Sequence, residues 1–106
     1  MRILGLDIGG TRIKAGLIEE QRGKVAILTL DRPEARNGLS LELLQALGSA
    51  VARSSADAGI SAAVLAANGP AFCAGHDLKE LAAHRKDADR GRAFYERAMT
   101  TCAGVM

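Results

Sequence analysis

Two apolar runs, Val25 to Asp31 and Ile60 to Ala67, with a stretch of helical period between them, constrain this chain more than any other feature. The first run stays apolar more than it alternates, as a strand covered on both faces does. Arg32-Pro33 ends it, because proline has no N–H to give to a ladder. Ser40 fits a helix N-cap, and Glu42 falls in the first turn, where negative charge suits the helix dipole. Leu43, Leu44, Leu47, Ala50 and Val51 then recur on one helical face, and the helix is expected to end before Gly59. Ile60 to Ala67 reads as the next buried strand. Strand, helix and strand within roughly 40 residues form a βαβ unit with a right-handed crossover. The fold class that follows is α/β.

The second run leads into a turn at Asn68-Gly69-Pro70 and a loop of small residues, Cys73-Ala74-Gly75. Asp77, with Glu80 three residues on, has the spacing of a capping box, so a helix starts there. A strand, a loop and a helix N-terminus in succession leave backbone N–H groups facing outward, able to hold an anion or a developing oxyanion. Small residues before the turn let a carbonyl approach the backbone closely.

The segment Ala71-Phe72-Cys73-Ala74-Gly75-His76-Asp77-Leu78-Lys79-Glu80-Leu81 resembles the oxyanion-hole segment of the crotonase (enoyl-CoA hydratase/isomerase) superfamily. Upstream, Val25 to Ser40 resembles that family's first strand and CoA-contacting loop, and the resemblance covers about Gly23 to Met106. It departs from the pattern at Asp31, where Asn is usual, and at Gly38, where Ala is usual. The resemblance implies that the backbone N–H of His76 is one of two donors to a thioester carbonyl, with Ala74, Gly75, Asp77 and Leu78 around the substrate. Removing one such donor typically costs ~3 kcal/mol in the transition state. The His76 side chain is not asked for chemistry. Arg32 and Arg36 flank the CoA loop, where they either pair with phosphate oxygens or stand as solvated surface arginines. Asp77 reads mainly as a cap and Lys79 as an exposed helix lysine. The family's second oxyanion glycine and its catalytic glutamates belong beyond the last helix seen here, and no Glu of this chain aligns with them. Hydration of an enoyl thioester needs a positioned acid/base. The expectation is therefore a truncated piece that keeps half an oxyanion hole and is inactive alone. It stands nearest a branch that itself departs from the hydratase pattern at those glutamates.

The opening differs. Arg2 to Asp7 and Arg12 to Glu19 are β-type runs around Ile8-Gly9-Gly10-Thr11, which reads as a tight hairpin. Leu4 to Ile18 resembles the first phosphate hairpin of the ROK sugar kinases. That implies Asp7, Gly9, Gly10, Thr11 and Lys14 near the phosphates of an ATP·Mg²⁺. Its match covers about 20 residues, and the other segments such a kinase needs have no counterpart. The chain thus reads as one domain over residues 1–106, a chimera of a kinase-like hairpin (1–20) and a crotonase-like unit (23–106), with a third antiparallel strand following the hairpin in register. The expected sheet is small and mixed, with about three helices.

At 106 residues and 48% hydrophobic content the chain can bury one core, but only three aromatics contribute to it. A net charge of +2 with signs interspersed gives no nucleic-acid footprint. Cys73 and Cys102 have neither metal-ligand nor disulfide-framework spacing, and Cys73 reads as a small apolar filler rather than a nucleophile. No apolar run approaches ~20 residues, so no membrane span is expected. The chain reads as cytoplasmic, without cofactor or metal, and with an acyl-CoA as its candidate small-molecule partner. His84 to Gly91 reads as a loop, with His84 on a solvated face. Phe94, Ala98, Thr101, Cys102 and Val105 form one helical stripe, and Tyr95, Met99 and Met106 lie beside it. Apolar residues on more than one side of this helix predict a homo-oligomer. Two alternatives to the acyl-CoA reading stand: a phosphate or nucleotide binder acting through the hairpin, and an engineered structural chain with no ligand.

Overall fold

The computed structural model describes residues 2–7, 13–20 and 23–106. Its described elements are β1 (Arg2–Asp7), β2 (Ile13–Glu20), β3 (Gly23–Leu30), α1 (Leu41–Ala56), β4 (Ile60–Ala67), α2 (Leu78–Ala83) and α3 (Arg92–Val105). The strands form one mixed sheet in the order β1-β2-β3-β4. β1 and β2 pair antiparallel, with Asp7 opposite Lys14, and β2 and β3 pair antiparallel, with Ile13 opposite Leu30. β3 and β4 are parallel across the α1 crossover. The expected antiparallel strands followed by a βαβ unit are therefore present. The turn at Gly9-Gly10-Thr11 lies outside the described residues.

Local chemistry sets the helix ends. Ser40 Oγ accepts the N–H of Leu43 at 3.1 Å, and α1 stops at Asp57, before Gly59. Leu43, Leu44, Leu47 and Ala50 are buried, joined by Ala46. Leu43, Ala46, Leu47 and Ala50 meet Ile13 of β2 with Leu28 and Leu30 of β3, and Ala15, Ala67, Cys73 and Val105 lie on the cluster's rim. Burying each large aliphatic side chain of this kind is worth ~1.5–3 kcal/mol.

Two expectations need correction. β3 is not covered on both faces, because buried Ala26, Leu28 and Leu30 alternate with half-buried neighbours. β4 is not a buried strand: its middle is exposed, with Val64 at 49% and Leu65 at 40%. The reason is architectural. α1 supplies one layer on one side of the sheet, and β4 is an edge strand of the described sheet. Nothing among the described residues covers the opposite face, so apolarity alone misread the strand as two-sided.

The stretch from His84 to Gly91 carries a short 3-10 turn, His84–Lys86, and is otherwise irregular. His84 is not merely solvated, since its ring stacks on Phe94 with centroids 3.6 Å apart and its Nδ1 lies 2.8 Å from Asp87 Oδ2. Asp89 starts α3 by accepting the N–H groups of Gly91 and Ala93, both at 2.9 Å. α3 then lays Val105 beside Gly48 of α1 and buries Ala98.

Candidate functional site

Two loops meet at the carboxyl ends of the parallel strands β3 and β4, the edge where open α/β sheets bind ligands. The first runs from Asp31 to Ser40 and the second from Asn68 to Asp77. Asn37 joins them. It is fully buried, sits in the left-handed region at φ 55°, and accepts the Arg32 N–H at Oδ1 (2.8 Å). Its Nδ2 donates to the carbonyls of Asn68 (2.8 Å), Ala71 and Phe72 (both 3.1 Å). Gly69, at φ 97°, lies so close to Pro33 that a Cβ would fall 2.6 Å from the proline Cβ. The first loop thus fixes the second by its backbone.

Further along, Ala74 N–H donates to Arg36 O (3.0 Å), Leu39 N–H to Gly75 O (2.7 Å) and Asp77 N–H to Leu39 O (3.1 Å). The last two bonds make an isolated parallel bridge between Leu39 and His76. In such a bridge the flanked residue turns its own N–H away from the partner strand. The His76 N–H accordingly has no acceptor among the described residues. Gly75, at φ 92°, faces open space, because a Cβ there meets nothing within 4 Å. Cys73 Sγ accepts the Gly75 N–H at 3.4 Å, so this residue is a loop acceptor as well as a filler. Buried His76 Nε2 has no hydrogen-bond partner among the described residues.

The charged residues are mostly committed. Arg32 Nη1 donates to Gly38 O (2.9 Å) and to Asp77 Oδ2 (2.8 Å). Asp77 Oδ1 accepts the Glu80 N–H at 3.1 Å, capping α2. Burial is the largest single influence on the Asp77 carboxyl and works against its charge. The hydrogen bond from Arg32, the Glu80 N–H and the guanidinium charge outweigh it, so Asp77 is held below the usual carboxylate range. Glu80 does not complete the expected capping box, because Asp77 N–H goes to Leu39 and Glu80 Oε1 accepts the Leu41 N–H at 2.8 Å. α2 is six residues long, and the Asp77 side chain caps its first turn, so the outward donor is the loop amide of His76 rather than the helix end. Arg36, Ala74, Leu78 and Lys79 are exposed around the loop. A Cβ on Gly38 would sit 3.2 Å from Ala35 O, so an alanine there would fit tightly.

Asn37 escaped the sequence reading as a site organiser. Its signal was the Asn-Gly pair at positions 37 and 38, a turn signature in which asparagine tolerates positive φ. Two clefts of about 170 and 110 Å³ flank the carboxyl half of α1, and neither is lined by residues of the Gly75 loop. Among the described residues no helix is long and apolar enough to cross a membrane, and no three His, Cys, Asp or Glu gather as metal ligands.

The sequence profile described as Enoyl-CoA hydratase/isomerase matches residues 20–103, spanning both loops, α1, α2 and most of α3. The chain belongs to the enoyl-CoA hydratase/isomerase family. As a member, it is 35% identical over 86 residues to enoyl-CoA hydratase domain-containing protein 3, mitochondrial, of Mus musculus, covering 81% of this chain and 27% of that protein. A probable enoyl-CoA hydratase of Rhizobium meliloti (strain 1021) is 42% identical over 65 residues, 61% of this chain and 25% of the relative. The crystal structure of a Mycobacterium smegmatis enoyl-CoA hydratase superposes with a TM-score of 0.68 at 44% identity, over 86% of this chain and 33% of that one. The human enoyl-CoA hydratase domain-containing protein 3 gives 0.71 at 29% identity, over 90% and 34%. This family member therefore spans about a quarter of its curated relatives and a third of the solved chains.

The profile begins at residue 20, leaving β1 and nearly all of β2 outside it. Of the residues that the kinase-like opening singled out, Gly9, Gly10 and Thr11 lie outside the described residues, and Asp7 is placed only as a β1 position opposite Lys14. The exposed Lys14 Nζ is 3.4 Å from Asp31 Oδ2, a surface pair of the kind worth ~0–1 kcal/mol.

Proposed function

We propose that this chain binds an acyl-CoA thioester and polarises its carbonyl with the backbone N–H of His76. One observation carries the reading. That N–H is left without an acceptor, with its direction fixed by bonds on both sides, beside a glycine that faces open space. A preorganised donor of this kind is suited to a carbonyl whose oxygen gains charge. Ala74, Gly75 and Leu78 lie alongside, and Arg36 is the exposed cation on the first loop.

Among the described residues the same site offers no free carboxylate to act as acid or base. The two nearby carboxylates are spent, Asp77 on Arg32 and the Glu80 N–H, and Glu80 on the Leu41 N–H. Neither is placed to activate water. The reading is therefore of thioester binding with half an oxyanion hole and no hydration by this stretch alone.

Calorimetric titration with crotonyl-CoA, CoA thiol and ATP·Mg²⁺ tests it. Crotonyl-CoA is expected to bind more tightly than CoA thiol, since only the thioester offers a carbonyl. Heat from ATP·Mg²⁺ alone favours a phosphate site in the opening hairpin. Silence from all three favours a structural chain without ligand.

A further inference from the structure

We infer that Arg32 is a positioning residue for the His76 amide, acting through Asp77 and Gly38, and not a ligand of CoA phosphate. The inference rests on the thioester reading above and deepens it. The donor at His76 is set by a two-bond bridge whose strands are Leu39 on one side and His76 on the other. Arg32 Nη1 binds the residue next to each. It donates to Gly38 O, one residue before Leu39, and to Asp77 Oδ2, one residue after His76.

A guanidinium Nη carries two protons, and both of these are committed. One nitrogen thus clamps the two strands of the bridge at the point that aims the free N–H. The clamp is itself seated, because the Arg32 backbone N–H is held by buried Asn37. The Arg32 side chain is three-quarters buried and the Asp77 side chain more so, at 25% and 14% exposure. A charge-assisted bond in such a place resists competition from water. The other loop arginine, Arg36, is exposed and serves any phosphate contact better.

The two roles predict different losses. A phosphate ligand holds CoA thiol and its thioesters alike, so its removal weakens both equally. A residue that positions the carbonyl donor matters only when a carbonyl is bound. In Arg32→Ala and Arg32→Gln, affinity for crotonyl-CoA is expected to fall about ten-fold, the equivalent of one charge-assisted hydrogen bond, with affinity for CoA thiol unchanged. The infrared stretch of the bound ¹³C-labelled thioester carbonyl supplies a readout that global stability does not move. It is expected to shift to lower frequency on binding the wild-type chain, to lose at least half that shift in the two variants, and to recover most of it in Arg32→Lys. Asp77→Asn, which keeps an oxygen for the Glu80 N–H and drops the charge, reproduces the loss even if the Arg32 variants fail to fold.

An equal loss for thiol and thioester overturns the inference in favour of phosphate binding. A full carbonyl shift in folded Arg32→Ala or Asp77→Asn overturns it while leaving the thioester reading intact. An unshifted carbonyl on the wild-type chain overturns that reading, and this inference with it.

Discussion

The carboxylate of Glu80 accepts the backbone N–H of Leu41 at 2.8 Å, so a side chain of the second helix caps the start of the first. Ser40 and Glu80 together satisfy two first-turn donors of α1 that helix geometry leaves open. Glu80→Ala is expected to cost about 1 kcal/mol, the usual worth of a lost cap. Glu80→Gln keeps a carbonyl oxygen at the site and is expected to cost less. Urea denaturation followed by circular dichroism measures both, and equal stability of Glu80→Ala and wild type would contradict the contact's role.

Asn37 holds four backbone groups on two loops. Removing its side chain leaves Arg32 N–H and the carbonyls of Asn68, Ala71 and Phe72 without it, and puts a residue less tolerant of positive φ at 55°. Asn37→Ala is expected to destabilise the fold by about 3 kcal/mol, the upper range for stranding buried polar groups. Asn37→Asp exchanges the donors for a buried charge and is expected to do no better. Denaturation midpoints check both, and a loss below about 1 kcal/mol for Asn37→Ala would show that the loops hold without it.

Acid should act on Asp77. Its carboxyl ionises below its ordinary value of 3.8 in the folded chain, so the stabilisation it gives is fully present above that value. It is lost as the pH falls from there through the folded pKa, when Arg32 and the Glu80 N–H lose their charged acceptor. The stability gap between wild type and Asp77→Asn is therefore expected to be constant from pH 5 to 7, about one unit and more above the ordinary carboxylate range, and to close below about pH 4. A gap that widens in acid would reverse the sign.

Much of this arrangement was legible in the sequence, for physical reasons that also explain the rest. The Ser40 cap and the stripe through Leu43, Leu44, Leu47 and Ala50 were readable because helix period and capping are local. The resemblance of Ala71 to Leu81 pointed to the His76 N–H, and its role as a donor to substrate stands as the proposal above. The destination of Glu80 was not legible. Its spacing from Asp77 signals a reciprocal cap, yet the nearest open donor in space belongs to Leu41, 39 positions earlier. Arg32 likewise points at Asp77 across 45 positions, and no local pattern announces such a pair. The exposure of β4 was missed because Ile60 to Ala67 holds no charged residue, and apolarity reports a wish for cover without saying whether cover is present.

That uncovered strand revises where self-association should occur. Met99 of α3 and Met106 just beyond it are exposed, but Ala98 is buried, Val105 packs on the core and Tyr95 Oη donates to Leu81 O at 3.2 Å. β4 carries neither a charged residue nor a proline to discourage pairing at its edge. We expect light scattering at micromolar concentration to show a dimer or larger species, and Val64→Lys to reduce it more than Met99→Lys. A clean monomer for the wild type would remove the idea.

The central claim is that the His76 N–H waits for a thioester oxygen. Amide NMR of the ¹⁵N-labelled chain during titration tests it most directly. The His76 amide proton is expected to move downfield with crotonyl-CoA and to stay in place with CoA thiol, as only the thioester carbonyl can accept that bond. A His76 resonance indifferent to crotonyl-CoA while the ligand demonstrably binds would contradict it.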